Sequence, residues 1–444
     1  MILLMDQMTR HSTELMKSLR ACGIDCPAIS ILYDGFLPED VLSPYAHYIG
    51  DEGKEGKPLY FNRLPVSPYQ EIKADGNGAE VLETGKVRGR VYYAQPREKR
   101  HVRIFDHLDE SGKVRWSDHF NHYGRMFAQT TLNENQRLLI KTYFDCKGEA
   151  CIMENFATGH VILKKDGKEI FFTNKTEFVM YYLEDVGFDL NRILYNSLST
   201  PFFVSQALFR KGVMGRDVLF WQEDVQNEIP GNMQAIFREG DSRTEKIAVL
   251  YRPVYEKMEK MGLDPERFGL LGYHYDFLAE NSGSKEIAIF TNSDKVLQLE
   301  RLIQELPDFI FHVAAVTEMS TKLMGLDKYE NVRIYPNVRK KKIEDIRNRV
   351  SYLLDINEGK EILDAADEAF LRNHLILAFK ETLHNEYRVA TKNIFSEKKV
   401  EKLIATLKEC GADQKKLQAR IELQKEQARC ESADSYALFL GLKK

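Results

Sequence analysis

SYLLDINEGKEILDAADEAFLRNHLILAF, residues 351–379, is the stretch whose pattern decides the fold class. The apolar run Tyr352–Leu354 predicts a buried strand. It leads into an acidic, glycine-marked turn at Asp355–Gly359, a helix-patterned segment, and a second apolar strand at Leu375–Phe379. In open α/β sheets the turn at a strand's carboxyl end is where ligands bind, because the helix that follows offers unpaired N–H groups there. Upstream the alternation continues. Strands are expected at Glu286–Thr291, Phe309–Val316 and Val332–Tyr335, with helices at Lys295–Leu306, Ser320–Leu326 and Ile343–Arg347. Five strand patterns alternating with helices specify a parallel open sheet. Downstream, Lys398–Arg429 is charged, broken at Gly411, and carries apolar faces through Leu403, Ile404, Leu407, Leu417 and Ile421, as expected of helices packing back on a domain.

The chain also opens as α/β. A helix is expected over 7–21, a strand over Ala28–Tyr33 and a turn at Asp34-Gly35. From Leu59 to Phe172 the pattern changes to short β-rich runs: YQEIK, AEVLE, VRGRVYY, HVRIF, KVRWSDHF, RLLIKTYF, HVILKK and KEIFF. Turn signals such as Asp75-Gly76-Asn77-Gly78, Ser111-Gly112, Lys147-Gly148 and Asp166-Gly167 separate them and specify an antiparallel meander. After Asn174, helices at Glu177–Leu183 and Pro201–Leu208 alternate with strands at Arg192–Tyr195, Asp217–Trp221, Gln234–Phe237 and Lys246–Leu250. The expected organisation is a Rossmann-like domain of residues 1–50 and 174–270, interrupted by a meander over 51–173. A second Rossmann-like domain follows at 271–395, with C-terminal helices at 396–444 packing back on the domains.

At 444 residues, two or three domains are the prior. Lys and Arg total 63 against 67 Asp and Glu, a net charge of −4, which argues against nucleic acid as a partner. Six cysteines, with Cys22/Cys26 and Cys146/Cys151 lacking zinc-site spacing, point to thiols in a reducing compartment. No apolar run reaches the ~18 residues of a membrane span. A cytoplasmic protein is expected, with peripheral attachment to the inner face of the cell membrane as the other reading. Residues 86–147 hold 13 Lys/Arg and 7 Asp/Glu among many aromatics, either a solvated sheet face or a surface for a partner or an anionic membrane. The run Arg339–Lys342, preceding a short helix, reads as a solvated charge run, with contact to a diphosphate or a membrane as the other reading. His119 and His122 should lie on opposite faces of a strand, which disfavours a metal.

Two Rossmann-like halves across a cleft suggest the GT-B architecture of nucleotide-sugar glycosyltransferases. The chemical signatures are missing: no Gly-x-Gly-x-x-Gly, Walker loop, Gly-x-Ser-x-Gly or Asp-x-Asp occurs. No metal or other cofactor is expected.

The segments Asp34–Pro38 (DGFLP), Leu59–Asn62 (LYFN), Asp118–Gly124 (DHFNHYG), Tyr195–Leu198 with Pro201-Phe202, Leu219–Glu223 (LFWQE), Pro230–Gln234 (PGNMQ) and Phe290–Asp294 (FTNSD) carry a resemblance. To about residue 385 the chain resembles the glycosyltransferase-stabilising (GtfB) family of the accessory Sec system of Gram-positive bacteria. The resemblance implies a GT-B-like fold with a meander insertion and a complex with a catalytic subunit, GtfA. That complex transfers N-acetylglucosamine from its UDP-sugar to Ser/Thr of an unglycosylated serine-rich repeat adhesin before export, and this subunit is non-catalytic, stabilising the enzyme and holding the acceptor chain. Set against the two glutamates of active retaining GT-B enzymes, Ile356 falls at the first and Asp364 at the second. The expected Arg and Lys for the diphosphate reduce to Lys295, beside Asp294, where paired positive charge is needed. Ser293, Lys295, Asn357, Glu358, Gly359 and Asp364 are the expected remnant of a donor site, although Glu358 and Glu361 also read as acids favourable at a helix N-terminus. The alternative is an active retaining UDP-sugar transferase using Lys295, Glu358 and Asp364. The meander is the expected docking surface, with Arg88, Tyr92, Trp116, His119, Asn121 and Tyr123 facing partner or acceptor.

Overall fold

The computed structural model describes residues 1–444 apart from 54, 226–227, 239–241 and 443–444. The chain forms two compact units, Met1–Leu271 and Gly272–Lys444.

The first unit centres on a strand that sequence reading missed. Ile2–Met5 is a run of four apolar residues, all buried. It pairs in parallel with Ala28–Ser30 on one side and with Ile193–Tyr195 on the other, Leu3 aligning with Ala28 and with Leu194. A parallel strand buried on both faces has no alternation to betray it, and four residues at a chain end are too short to register as a pattern. The seven-stranded sheet runs Phe268–Leu270, Thr244–Val249, Asp217–Trp221, Ile193–Tyr195, Ile2–Met5, Ala28–Ser30, Val41–Leu42. The helix Arg10–Ala21 follows the first strand, its N-cap Thr9 accepting the Ser12 N–H at 3.1 Å. The expected strand at Gln234–Phe237 is instead the end of a helix, Gly231–Phe237, that buries Met233 and Ile236. Four residues cannot distinguish the two periods, and the contact between positions three apart decides for helix.

The meander comprises ten antiparallel strands from Gln70 to Phe172, paired in chain order. Two of them, Met126–Leu132 and Ala150–Asn155, went unread because their Gln, Thr, Cys and Glu dilute the β signal. Sheet register exposes a swap of faces. Val91, Phe105, Asp118, Gln129, Thr142, Met153, Ile162 and Phe171 form one cross-strand row. Val91 and Phe105 are buried in a small core of the meander's own, whereas Phe171 at the other end is 56% exposed. The neighbouring row does the reverse: Tyr92 is exposed, and Tyr143, Ile152 and Leu163 join the core of the parallel sheet.

A buried carboxylate anchors the meander. Asp51 accepts hydrogen bonds from the Tyr33 hydroxyl and Asn121 Nδ2, both at 2.8 Å, and pairs with Arg125 Nη2. Asn121 Oδ1 in turn accepts the backbone N–H groups of Tyr123 and Arg125, so residues 121–125 form a turn rather than the continuing strand expected through His122. Gly35 fits against this turn with φ +86°, where a Cβ would stand 2.8 Å from Phe120 O and 2.9 Å from Asn121 Cα.

The second unit holds a six-stranded parallel sheet in the order Val332–Tyr335, Ile310–Ala314, Glu286–Phe290, Tyr352–Asp355, Leu375–Phe379, Ile394–Phe395. Five strands lie where their apolar runs place them, and the two-residue sixth leaves no pattern. Helices Val400–Ala412 and Gln414–Gln427 pack on this sheet, the second through buried Gln424, which accepts the Ile376 N–H at 2.6 Å and donates to His374 O at 3.0 Å. The break lies at Asp413, which caps the second helix; Gly411 is inside the first. Lys340–Lys342 likewise form the first turn of helix Lys340–Arg347, with Arg339 at its N-cap, rather than preceding it.

Replacing Asp51 with Ala removes the carboxylate shared by Arg125 Nη2, the Tyr33 hydroxyl and Asn121 Nδ2, with Arg125 Nη1 keeping the carbonyls of Phe144 and Asp145. Urea unfolding should show a loss on the order of 3 kcal/mol, and Asp51→Asn should lose less because an acceptor oxygen remains. A loss for Asp51→Ala within the ~0.5 kcal/mol of an ordinary surface change would refute the anchor.

Candidate functional site

In the second sheet, chain order reverses beside Glu286–Phe290. The chain runs outward through Ile310–Ala314 and Val332–Tyr335, then returns to place Tyr352–Asp355 on the other side. The carboxyl ends of Glu286–Phe290 and Tyr352–Asp355 therefore flank a topological switch point, the place where such sheets bind ligands. Here the two turns are fastened to each other. Leu297 donates its N–H to Ile356 O at 2.8 Å, Glu358 donates to Lys295 O at 3.0 Å, and Val296 bridges Asn357. This pairing explains why the helix expected from Lys295 begins only at Leu299.

Asn357 is buried and its carboxamide is fully engaged. Oδ1 lies 2.7 Å from the Thr291 hydroxyl and accepts the Gly359 N–H at 3.0 Å, while Nδ2 donates to Lys360 O at 3.2 Å and to Asn292 Oδ1 at 3.4 Å. Gly359 is required by close approach, since a Cβ there would meet Asn292 Oδ1 at 1.9 Å. Ser293 is occupied within its own turn, Oγ accepting the Lys295 N–H at 3.1 Å. Lys295 Nζ lies 3.5 Å from Glu358 Oε2, so this cation is matched by a carboxylate. Glu358 is not at a helix N-terminus, because the helix starts at Ala365; Glu361 takes that role, its Oε1 accepting the Ala366 N–H at 2.9 Å. Burial raises the Glu361 carboxyl above its usual range, and nearby Asp355 and Asp367 add to the effect. Asp364 is exposed and left-handed, φ 47°, with no side-chain cap bond; Ile356 is wholly buried.

Asp355 and His384 hold the turn from beneath; the sequence marks Asp355 only as the start of the acidic turn and gives no sign of His384. Asp355 Oδ1 takes His384 Nδ1 at 2.5 Å, Oδ2 accepts the His384 backbone N–H at 2.9 Å, and His384 Nε2 is 2.7 Å from Gly359 O. A carboxylate and a carbonyl can only accept, so both ring nitrogens donate and His384 is an imidazolium. The Asp355 hydrogen bond raises it to about 9 against an ordinary 6.5. Only an aspartate at a strand's carboxyl end hinted at this; its partner lies 29 positions on.

Beside the turn is a cavity of about 330 Å³ lined by Thr291, Asn292, Asp294, Thr317, Glu318 and Ser320, among other residues. Its lining has two carboxylates and no Lys or Arg, so a diphosphate meets repulsion where it needs paired cations.

The six surface candidates of the meander do not share one face. Tyr92 and His119 lie on one side of the sheet, and Trp116 lies on the other, stacked on His107 at 4.4 Å; Arg88 sits at a register shift between Val87 and Gly89. Arg88 pairs with Glu83. Asn121 is fully buried in the Asp51 anchor and offers nothing to a partner, and Tyr123 sits in the adjoining turn. His119 bonds Thr130 Oγ1 at 2.8 Å and burial pushes it down to about 3; His122 bonds Gly35 O at 3.0 Å. The basic excess of residues 86–147 is partly neutralised by acids outside that stretch, through Arg88–Glu83, Arg103–Asp34 and Arg125–Asp51.

Four family profiles match in chain order: the GtfB N-terminal domain over residues 2–48, the GtfB middle domain over 70–173, the GtfB third domain over 175–261, and the GftB/GlyA-F C-terminal domain over 287–424. A Streptococcus agalactiae protein named UDP-N-acetylglucosamine–peptide N-acetylglucosaminyltransferase stabilizing protein GtfB is 40% identical over 443 residues, 99% of each chain. The chain belongs to the GtfB family. The Limosilactobacillus reuteri GtfB is 36% identical, covering 91% of this chain and 90% of its own. A chain in the crystal structure of a GtfA/B complex bound to UDP and GlcNAc superimposes with a TM-score of 0.86 at 37% identity, covering 100% of this chain and 99% of that one, so the fold is GT-B-like. A chain of the Gap123 complex from Streptococcus agalactiae shares the fold at 11% identity, TM-score 0.59, over 99% of this chain and 98% of its own.

The His384 clamp makes the second unit's stability depend on pH. Because its folded value lies above the unfolded one, the contribution is complete below about 6.5 and is lost as pH rises through about 9. Thermal melts of the wild type across that window should register a loss on the order of 3 kcal/mol, and His384→Gln should flatten the dependence. Equal slopes for both proteins would remove the clamp.

Proposed function

We propose that this chain is the stabilising, acceptor-binding and non-catalytic subunit of a protein O-GlcNAc transferase, acting with a GtfA-type catalytic subunit. The observation that carries this reading is the closed turn of the second unit. Asn357, Ser293 and Gly359 are spent on holding it shut, Lys295 is matched by Glu358, Asp364 is exposed with no side-chain cap bond, and the adjoining cavity has no cation among its lining residues. Donor activation needs groups whose interactions are kept for the transition state, and here the candidates are engaged with one another.

The partner follows from the relatives' name and from the GtfA/B complex. For the acceptor we propose an unglycosylated Ser/Thr-rich adhesin chain, met in the cytoplasm before export. Such a chain is extended and polar, so a subunit that holds it needs many modest contacts along a surface rather than one deep apolar pocket.

A contact with the inner face of the cell membrane is a second reading, favoured by one observation. Arg339 and Lys340–Lys342 stand at the N-terminal end of a helix, where the macrodipole disfavours cations, and Arg339, Lys340 and Lys341 have no ion pair among the described residues. An anionic surface would relieve that repulsion. No helix among the described residues is long and apolar enough to cross a membrane.

Calorimetry with UDP and UDP-N-acetylglucosamine should give no binding in the micromolar range. A transfer assay should give product only when the catalytic subunit is added, and more product with this chain than without it. Micromolar donor binding together with transfer by the isolated chain would establish the alternative, an active retaining transferase. Flotation on anionic vesicles should be lost on replacing Arg339–Lys341 with Gln; unchanged flotation of that variant would sink the membrane reading.

A further inference from the structure

We infer that a small cavity at the carboxyl end of the first unit's parallel sheet is a subsite for a single serine or threonine side chain of the acceptor, an inference that rests on the acceptor-binding role proposed above. The cavity measures about 170 Å³, and its walls include Asp6, Thr9, Ser12, Asn196, Gln222 and Glu223. These residues follow Ile2–Met5, Ile193–Tyr195 and Asp217–Trp221, so the cavity occupies the position where the sheet's chain order reverses about its first strand.

Size and chemistry select the occupant. Nucleotide-sized ligands occupy clefts of ~300–1,000 Å³, so this cavity admits a side chain and not a sugar nucleotide. The lining contains no Lys or Arg and two carboxylates, which repel phosphate. Its lining has no Val, Leu, Ile or Met, and its one ring is His11. A short hydroxyl, able both to donate and to accept, fits walls of hydroxyls, carboxamides and carboxylates.

The walls are preorganised. Asn196 Nδ2 donates to Ser12 Oγ at 3.0 Å and to Gln222 Oε1 at 3.1 Å; Gln222 Nε2 donates to His11 O at 3.0 Å, and Ser12 Oγ donates to Gln7 O at 2.7 Å. This chain of bonds fixes which end of the Asn196 carboxamide is which, and leaves Asn196 Oδ1 as a buried acceptor without a hydrogen-bond partner among the described residues. Burial raises the Asp6 carboxyl above its usual range, with Lys175 and Ser199 opposing, consistent with a site that holds neutral groups.

The test is fluorescence anisotropy on the full chain with a labelled Ser/Thr-rich peptide and the same peptide with Ala at every Ser and Thr. The native protein should bind the first and not the second. Glu223→Trp, which fills the mouth from an exposed position, should weaken binding of the Ser/Thr peptide at least about tenfold with an unchanged melting temperature. Native-like binding by that variant overturns the subsite while leaving the acceptor role standing; failure of the native chain to bind the peptide removes both. A photo-crosslinking peptide applied to the unaltered chain decides the matter if the variant misfolds. Labelling of residues 6–12 or 196–197 supports the subsite, and labelling confined elsewhere overturns it.

Discussion

The second unit depends on a constraint between two turns 60 residues apart. The carboxamide of Asn357, buried at the switch point, must satisfy all its hydrogen bonds inside the protein, since each one left open would cost about 1–3 kcal/mol. It does so by binding Thr291, Gly359, Lys360 and Asn292 at once. That arrangement requires a glycine at 359, delays the helix that would otherwise start at Lys295, and brings Lys295 to Glu358. The Asp355–His384 pair completes it from below, adding a charge-assisted bond on the side where the turn leaves the sheet. The two turns that flank the switch point are thereby fastened into one structural joint.

The first unit solves a different problem, the insertion of a ten-stranded meander into a parallel α/β sheet. Ile2–Met5 joins Ala28–Ser30 to Ile193–Tyr195, 165 positions further along the chain, so the insertion can leave and return without disturbing the sheet. The meander is too wide to bury one face throughout. It buries one face against the parallel sheet's core and the opposite face in a core of its own, and the Asp51–Arg125–Asn121–Tyr33 network anchors it to the unit. This leaves Tyr92 exposed on one side and Met153 and Phe171 on the other, so two distinct exposed surfaces are presented from one rigid sheet.

Much of the candidate site was legible because it concerned which residue types are present. Ile356 cannot be a carboxylate, Asp364 is shorter than a glutamate, and Lys295 has no second cation beside it; each is a statement about composition at a position. What was misread concerned partners. Glu358, read as a donor-site residue or a helix acid, is an ion-pair partner, Asn121 looked like surface and is a buried hub, Asp355 was read only as the start of a turn, and His384 was not considered. Hydrogen-bond partners far apart in sequence leave no periodic trace, so no local pattern could have joined them.

The same division holds for the fold. Sequence by itself determined the fold class and the place of the meander, because apolar runs, alternation and Asp-Gly turns are local consequences of burying one or both faces of a strand. It determined the family as well, through the number and order of short segments. The tertiary structure decided that Ile2–Met5 is a central strand, that residues 234–237 belong to a helix, which face of the meander is buried at each end, and that the turn after Tyr352–Asp355 is fastened to the turn after Glu286–Phe290. Each of these depends on what packs against the segment, and burial and pairing are settled by neighbours that only the folded chain brings together.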